Sequence, residues 1–274
     1  MEEKLTKETY RTNHEYMSYS RLVSYSKCEA AALAGYREPS SKAQLIGSYV
    51  DAHFSKELEE FEKEHPEIYN SKTGELKVDF IQANDIIARA EKDKVFSYYM
   101  SGEKQVIMTG VIEGIKFKIK IDSFMPGKFI ADLKVVKDFK KVWSDTLKSY
   151  TNFIEAYDYD IELAVFQEVV RQNTGIILPC YIPAITKEVP SDIDVFYLRQ
   201  EMLDEALTYV KKVLIPRYKK LIAGEVAPHR CEKCAYCRET KKARVISSEY
   251  VGFDGDMLRE VGIECNDEKV ERKE

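Results

Sequence analysis

The 274-residue sequence lacks any apolar run approaching the roughly 18 residues that cross a bilayer, so no membrane-spanning helix is expected. A secretory leader is also missing: the opening MEEKLTKETYRTNHEY is polar and mixed in charge, and the expected compartment is the cytoplasm. Nor is there an excess of positive charge. The 42 Lys and Arg stand against 47 Asp and Glu, a formal net charge of −5, so the total points to no polyanionic partner. Internal repeats and low-complexity linkers are absent, which argues against solenoids and strings of domains. The 44% hydrophobic content that is present suits one globular domain with a real core. We expect a single domain over residues 1–274, with its core at about 14–225, a cysteine module at 228–242 and a charged tail at 254–274.

Charge is unevenly placed. The stretch Lys104–Lys148 is rich in lysine and Glu57–Glu67 is acidic. A basic cleft on an acidic body would suit DNA, but an ordinary solvated surface is the simpler reading of charge alone.

Hydrophobic period divides the chain into helical flanks around a block of strands. Helices are expected over Ser18–Leu33 (Ser18 or Ser20 capping, Gly35 ending), Leu45–Glu64 and Phe80–Lys92. Strands are expected over Gln105–Ile112, Ile115–Phe124 and Phe129–Val136, separated by turns at Glu113-Gly114 and Met125-Pro126-Gly127-Lys128. Helical pattern resumes over Trp143–Gln172 with some interruption, and Gly175 ends it. Strands follow at Ile176–Ile185 and Val195–Arg199, then a helix over Gln200–Ala223 that Pro216 kinks or breaks.

The central hairpin carries the chemistry. In GIKFKIKIDSF, Ile115, Phe117, Ile119 and Ile121 share one strand face, while Lys116, Lys118, Lys120 and Asp122 share the other. In FIADLKVV, Asp132 and Lys134 point the same way. A turn centred on Gly127 places Asp122 opposite Asp132, where like charges destabilise a strand pair. A divalent cation between the carboxylates turns that repulsion into coordination, and Mg²⁺, a hard ion, wants such oxygens. On alternation alone, a solvated hairpin is the simpler reading of the pattern.

Asp122 followed by Asp132-Leu133-Lys134 resembles the D…(D/E)-x-K signature of the PD-(D/E)xK nucleases, and the phrasing GIKFKIKIDSF…KFIADLKVVKD resembles their RecB-like branch, including the phage-type exodeoxyribonuclease VIII (RecE-like) enzymes. The opening NHEYMSYSRLVSYSKCEAAALAGY also resembles that branch, so the likeness spans most of residues 14–242. It implies an α/β fold with a restriction-endonuclease-like core, a mixed central sheet flanked by helices. It implies a metal-dependent exonuclease that resects linear double-stranded DNA to single-stranded tails for recombination, with a phage-type single-strand annealing protein as partner and a homo-oligomer as one assembly. Alternatives are a structure-specific endonuclease and a non-catalytic DNA-end-binding protein on the same fold.

The resemblance makes His53, in Gly47-Ser-Tyr-Val-Asp-Ala-His, a ligand of Mg²⁺ or Mn²⁺ beside Asp122, Asp132 and the Leu133 carbonyl, with Asp51 a weaker candidate. It places Tyr159, Glu162 and Phe166 on a helix behind the hairpin, Glu162 standing where the branch carries glutamine. Lys134 would orient water and stabilise charge rather than act as base, since neighbouring carboxylates raise its pKa. Lys116, Lys118, Lys120, Lys137, Lys140 and Lys141 are candidate phosphate contacts.

Finally, Cys231, Cys234 and Cys237 stand at two-residue gaps, a spacing that suits a metal better than packing in a reducing compartment. Zn²⁺ or a 4Fe-4S cluster needs a fourth ligand, His229 or the distant Cys28; several RecB-like nucleases hold a cluster with one cysteine before the core and three after it. Cys180 reads as core, and Cys265 has no assigned role.

Overall fold

The computed structural model describes residues 5–144, 147–253 and 255–263; Cys265 and the tail beyond 263 lie outside them. The chain begins with helices α1 (Lys7–Thr12), α2 (Tyr19–Lys27), α3 (Glu29–Leu33), α4 (Lys42–Phe54), α5 (Leu58–Glu64), α6 (Val78–Lys92) and α7 (Lys94–Tyr99). Strands β1 (Glu103–Ile112), β2 (Ile115–Met125), β3 (Phe129–Ala131), β4 (Lys134–Val136), β5 (Val142–Ser144) and β6 (Ser149–Thr151) follow. Then come α8 (Phe153–Ala156), α9 (Tyr159–Thr174), β7 (Cys180–Thr186), β8 (Ile193–Leu198), α10 (Gln200–Tyr209), α11 (Ile215–Ile222), α12 (Ala235–Glu239) and α13 (Gly255–Glu260). The described residues form two compact units, one within residues 1–16 and 40–208, the other within residues 17–39 and 209–274.

The first unit is built on a mixed sheet of order β1-β2-β3-β7-β4, with β8 paired to β7. Glu113 and Gly114 both take positive φ (48° and 76°), the two-residue turn whose twist matches a hairpin, and they join β1 to β2. Between β2 and β3, Lys128 N donates to Met125 O at 2.9 Å across Pro126 and Gly127, and Gly127 has φ 71°. Proline then glycine at the centre of a four-residue turn is what that geometry favours. The resulting register pairs Ser123 with Ala131, Phe124 with Ile130 and Met125 with Phe129. Carried one step further, it sets Asp122 opposite Asp132, as the turn position requires.

The expected strand Phe129–Val136 is interrupted at Asp132 and Leu133. Parallel β7 bridges the gap, pairing Ile130 with Cys180 and Ala131 with Tyr181 on one side and Lys134 with Ala184 on the other. Asp132 N still donates to Tyr181 O at 3.1 Å. On one side of the sheet, Tyr49 and Val50 of α4 and Phe80, Ala83, Ile86 and Ile87 of α6 bury against Leu133 and Ile185. Helix α9 packs on β1 and β2; at Gly110 a Cβ would meet Val169 at 3.3 Å and Gln172 Oε1 at 2.7 Å, so a larger residue there would displace the Gln172 amide and press on Val169.

Several expected elements differ. Strands β5 and β6 pair antiparallel where the start of a helix is expected: Trp143 pairs with Tyr150, their rings edge to face at 5.5 Å, and aromatic cross-strand pairs of this kind favour strands. The run 45–64 is two helices, broken where Lys56 takes φ 62°. Asp93 caps the unexpected α7, accepting from Val95 N at 2.9 Å and Phe96 N at 3.0 Å.

In the second unit, the expected helix 18–33 is two. Cys28 is extended (φ −161°, ψ 101°) and separates α2, which Ser18 caps, from α3. Ahead of Pro216 the chain widens into a π turn over Val210–Leu214, because proline removes a backbone donor and crowds the preceding turn. Glu29 is buried and paired with Arg217 through bonds of 2.7 and 2.7 Å, and it also accepts from His229 N at 2.6 Å. Among the described residues no helix is long and apolar enough to cross a membrane.

Candidate active site and cysteine cluster

The hairpin, α4 and the first turn of α9 converge on Asp122, Asp132 and Lys134. Leu133 N donates to Asp122 Oδ2 at 3.0 Å, so the break between β3 and β4 delivers a backbone donor to the facing strand's carboxylate. Asp122 Oδ1 accepts from Gln105 Nε2 at 3.2 Å. Gln105 lies opposite Asp122 in the β1–β2 register, with φ 51°, a conformation side-chain-bearing residues seldom adopt. Its Nε2 also donates to Ser55 Oγ at 2.6 Å, while Oε1 has no hydrogen-bond partner among the described residues. Sequence reasoning missed Gln105; one polar residue in a strand carries no signal of left-handed backbone.

The α4 residue that reaches the carboxylates is Asp51. Burial raises its pKa, Lys120 lowers it, and Asp132 raises it further. Asp51 follows Gly47 by one helical turn, and a Cβ on Gly47 would lie 3.9 Å from Val135 of β4, so this is the face turned to the sheet. His53 comes two residues later, about 200° around the helix. It is placed away from the carboxylates, with Nε2 2.8 Å from Glu91 Oε1 and its ring edge to face with Phe54.

Lys134 pairs with Asp132 and lies 2.7 Å from Glu162 Oε2, with Nζ 4.5 Å from the Tyr159 ring centroid. Burial lowers the Lys134 pKa, but Asp132 and Glu162 more than offset this and hold it well above the ordinary lysine value. The ammonium therefore stays protonated. Burial raises the Glu162 carboxyl and pushes Tyr159 up to about 12. Phe166, on the same helix, is buried as core.

Asp122 is raised well above the usual carboxylate range, first by burial and then by the charges of Asp51 and Asp132. Carboxylates crowded in this way repel one another until a cation stands between them. Their oxygens fit Mg²⁺ or Mn²⁺ by hardness, and the repulsion itself shows a set complementary to positive charge.

Of the lysines expected to meet phosphate, Lys116 lies 2.6 Å from Glu15, and buried Lys118 donates to the carbonyls of Tyr10 and Asn13. Lys120 is partly buried near Asp51, and Lys137, Lys140 and Lys141 are exposed.

In the second unit, Cys28, Cys231, Cys234 and Cys237 bring their sulfurs within 4.8 Å of one another. Sγ of Cys28 lies 3.5 Å from that of Cys237 and 3.9 Å from that of Cys234, and Cys231 lies 3.9 Å from Cys237. A tetrahedral ion with bonds of about 2.3 Å holds its sulfurs about 3.8 Å apart. A cubane interposes a cage and spreads them further. The donor set therefore fits one soft ion. His229 meets this site through its backbone carbonyl, 3.8 Å from Cys28 Sγ. Cys180 is buried in β7, as core.

Residues 18–240 match a family described as a PDDEXK-like domain of unknown function, DUF3799. No curated protein matches the sequence. Among solved structures, the chain is similar to a presumed exonuclease from Eubacterium rectale, with 41% identity and a TM-score of 0.84 over 91% of this chain and 98% of that one. A second, SSO0001, aligns at 11% identity and a TM-score of 0.31 over 83% of this chain and 94% of that one, a likeness too low to bear on the site. The mixed sheet flanked by helices is thus a restriction-endonuclease-like core.

Proposed function

The chain belongs to the PDDEXK-like domain family, and from that premise we propose that it is a metal-dependent deoxyribonuclease that degrades linear double-stranded DNA from its ends. The observation that carries the reading is the convergence of Asp51, Asp122 and Asp132, raised or buried together, on a lysine that stays protonated. Asp122 and Asp132, with the Leu133 carbonyl, would hold one or two Mg²⁺ or Mn²⁺ ions, and Asp51 takes the place expected of His53. Such an ion, when bound, lowers the pKa of a water and neutralises phosphate charge. Gln105 and the Leu133 amide fix the direction of the Asp122 carboxylate. Glu162 and Tyr159 hold the Lys134 ammonium in place. That ammonium donates to the attacking water or to a phosphate oxygen and stabilises the negative charge that develops there.

Cleavage from ends is supported by the Eubacterium rectale relative, described as a presumed exonuclease. In this reading the product is a single-stranded tail for recombination, handed to a phage-type annealing protein, and the cysteines form a separate structural site for one soft ion such as Zn²⁺. The test is end-labelled linear duplex beside covalently closed circular duplex, in Mg²⁺ and in EDTA. Mononucleotides from the linear substrate alone, in Mg²⁺ alone, are expected. Cuts in the circle would make the protein an endonuclease, and binding to ends without products would make it a non-catalytic end-binding protein.

A further inference from the structure

Strands β5 and β6 pair with each other and stand off the main sheet. Directly paired residues share a face, so Trp143 and Tyr150 lie together on one side. The other side carries buried Ser144 and half-buried Val142 and Thr151, and it is turned to α8, which packs on both strands. The outer side is open: Trp143 is 47% and Tyr150 69% exposed. Trp143 is the chain's only tryptophan, a residue that folding ordinarily buries. Leaving both rings in water forgoes burial that would stabilise so small a ribbon. Lysines flank both strands. Lys137, Lys140 and Lys141 ahead of β5 and Lys148 ahead of β6 are exposed. Among the described residues of 137–152 the one acid is Asp138, which accepts from Lys140 N at 2.9 Å. Ring contacts lead from the ribbon's support to the candidate active site. Phe153 of α8 stacks on Phe139 at 5.6 Å and meets the Tyr159 ring edge to face at 6.4 Å, and Lys134 Nζ lies 4.5 Å from the Tyr159 centroid.

We propose that Trp143 and Tyr150 form a stacking site for unpaired bases of a DNA strand, with Lys140, Lys141 and Lys148 on its phosphates; this rests on the nuclease reading, in which degradation from an end leaves a strand unpaired. Exposed rings among lysines suit a single strand: the cations take the backbone, and every base has a π face for a ring. A base inside a duplex is covered on both faces by its neighbours, so intact duplex offers the rings no partner there. A second copy of the chain fits worse, because the same face would set lysines against lysines.

Tryptophan emission reads the site directly, because Trp143 is its one source. Without Mg²⁺, wild type is titrated with oligothymidylate and with inorganic polyphosphate, which has the charge and no bases. Oligothymidylate should quench the emission and polyphosphate should leave it unchanged. Anisotropy of end-labelled oligothymidylate then compares wild type with Trp143→Ala, Trp143→Phe and Tyr150→Ala, with thermal midpoints and sedimentation alongside. Each alanine variant should raise Kd about 5- to 150-fold, and Trp143→Phe, which keeps a ring, should bind more tightly than Trp143→Ala. Wild-type affinity in both alanine variants overturns the proposal, as does equal quenching by polyphosphate. A dimer that Trp143→Ala splits also overturns it and makes the face an interface between copies. If Trp143→Ala fails to fold, Tyr150→Ala, at the more exposed ring, decides. Cleavage of linear duplex in Mg²⁺ is scored separately. Stacking without cleavage refutes the nuclease reading and leaves a single-strand-binding site, whereas cleavage beside unaltered affinity in the variants removes the stacking site alone.

Discussion

Asp122→Asn should make the metal-free protein more stable while abolishing cleavage. Asparagine has the shape of aspartate and can keep the bond from Leu133 N, now 3.0 Å from Oδ2. Its amide nitrogen would then face Gln105 Nε2, donor against donor, where Asp122 Oδ1 now accepts at 3.2 Å. Rotating the Gln105 amide turns Oε1, which has no partner among the described residues, to accept from the new amide, and Ser55 can donate to it in exchange for its 3.4 Å bond to Asp51 Oδ1. What disappears is a charge buried beside Asp51 and Asp132. Removing one such charge is worth about 1–3 kcal/mol. At about 2–4 °C per kcal/mol for a chain of this size, the thermal midpoint should rise by about 2–12 °C in EDTA. The pH dependence has a definite sign. The folded-state pKa of Asp122 lies above its unfolded value, so its penalty is full above the raised pKa and absent below the ordinary carboxylate range. The advantage of the variant should therefore be greatest at neutral and alkaline pH and close as pH falls towards about 4. Saturating Mg²⁺ should restore the order, stabilising wild type by about 2.7 kcal/mol at 100 times the dissociation constant and the variant by less. A variant less stable than wild type at pH 8 in EDTA, or a gap that persists in acid, would falsify the electrostatic account of this site.

Other substitutions separate the roles of the remaining groups. Lys134→Ala should lower kcat by about 10²-fold or more, and should also lower stability because Asp132 and Glu162 lose their shared cation; near-normal turnover would remove Lys134 from the chemistry. Arg217→Ala should cost about 1–3 kcal/mol by chemical denaturation, since among the described residues buried Glu29 keeps the His229 amide but loses its cation; partial exposure of Arg217 lets water screen the pair and limits the loss, and no loss would mean that water replaces it freely. Elemental analysis should find one zinc per chain in colourless protein. Cys28→Ser should weaken zinc retention and lower the thermal midpoint, whereas brown protein with iron and acid-labile sulfide would show that the sulfurs open to take a cubane.

The geometry of the β2–β3 hairpin was legible because alternation and a Pro-Gly turn are local. They set which side chains share a face and which residues oppose, and Asp122, Asp132 and Lys134 meet as that register requires. The α9 pair Tyr159 and Glu162 came from the family resemblance, and helical spacing set them on one face. Asp51 was not separated from His53 because both lie near the end of the same helix, and only packing against β4 decides which face turns inward. Gln105 depends on a left-handed backbone that no local pattern announces, and Lys118, read as a free phosphate contact, is taken by Tyr10 and Asn13 more than a hundred positions away. The break at Cys28 falls inside a strongly helix-forming run, where the demands of the cysteine cluster override propensity.

The interrupted strand has a consequence for the order of folding. Residues 103–131 can zip into a meander from short-range contacts alone. The stretch carrying Asp132 and Lys134 is held in line by β7, whose partners lie 50 positions further along, Ile130 with Cys180 and Lys134 with Ala184. Parallel pairing over that separation incurs a loop-closure cost before it is rewarded, so it belongs to the slow part of folding. On a chain still being synthesised, the carboxylates cannot take their final geometry until β7 has emerged and docked. A nascent chain that ends short of Cys180 carries every residue of the D…D-x-K signature and no assembled centre. The protein thus acquires its capacity to cut only once most of its sheet is complete.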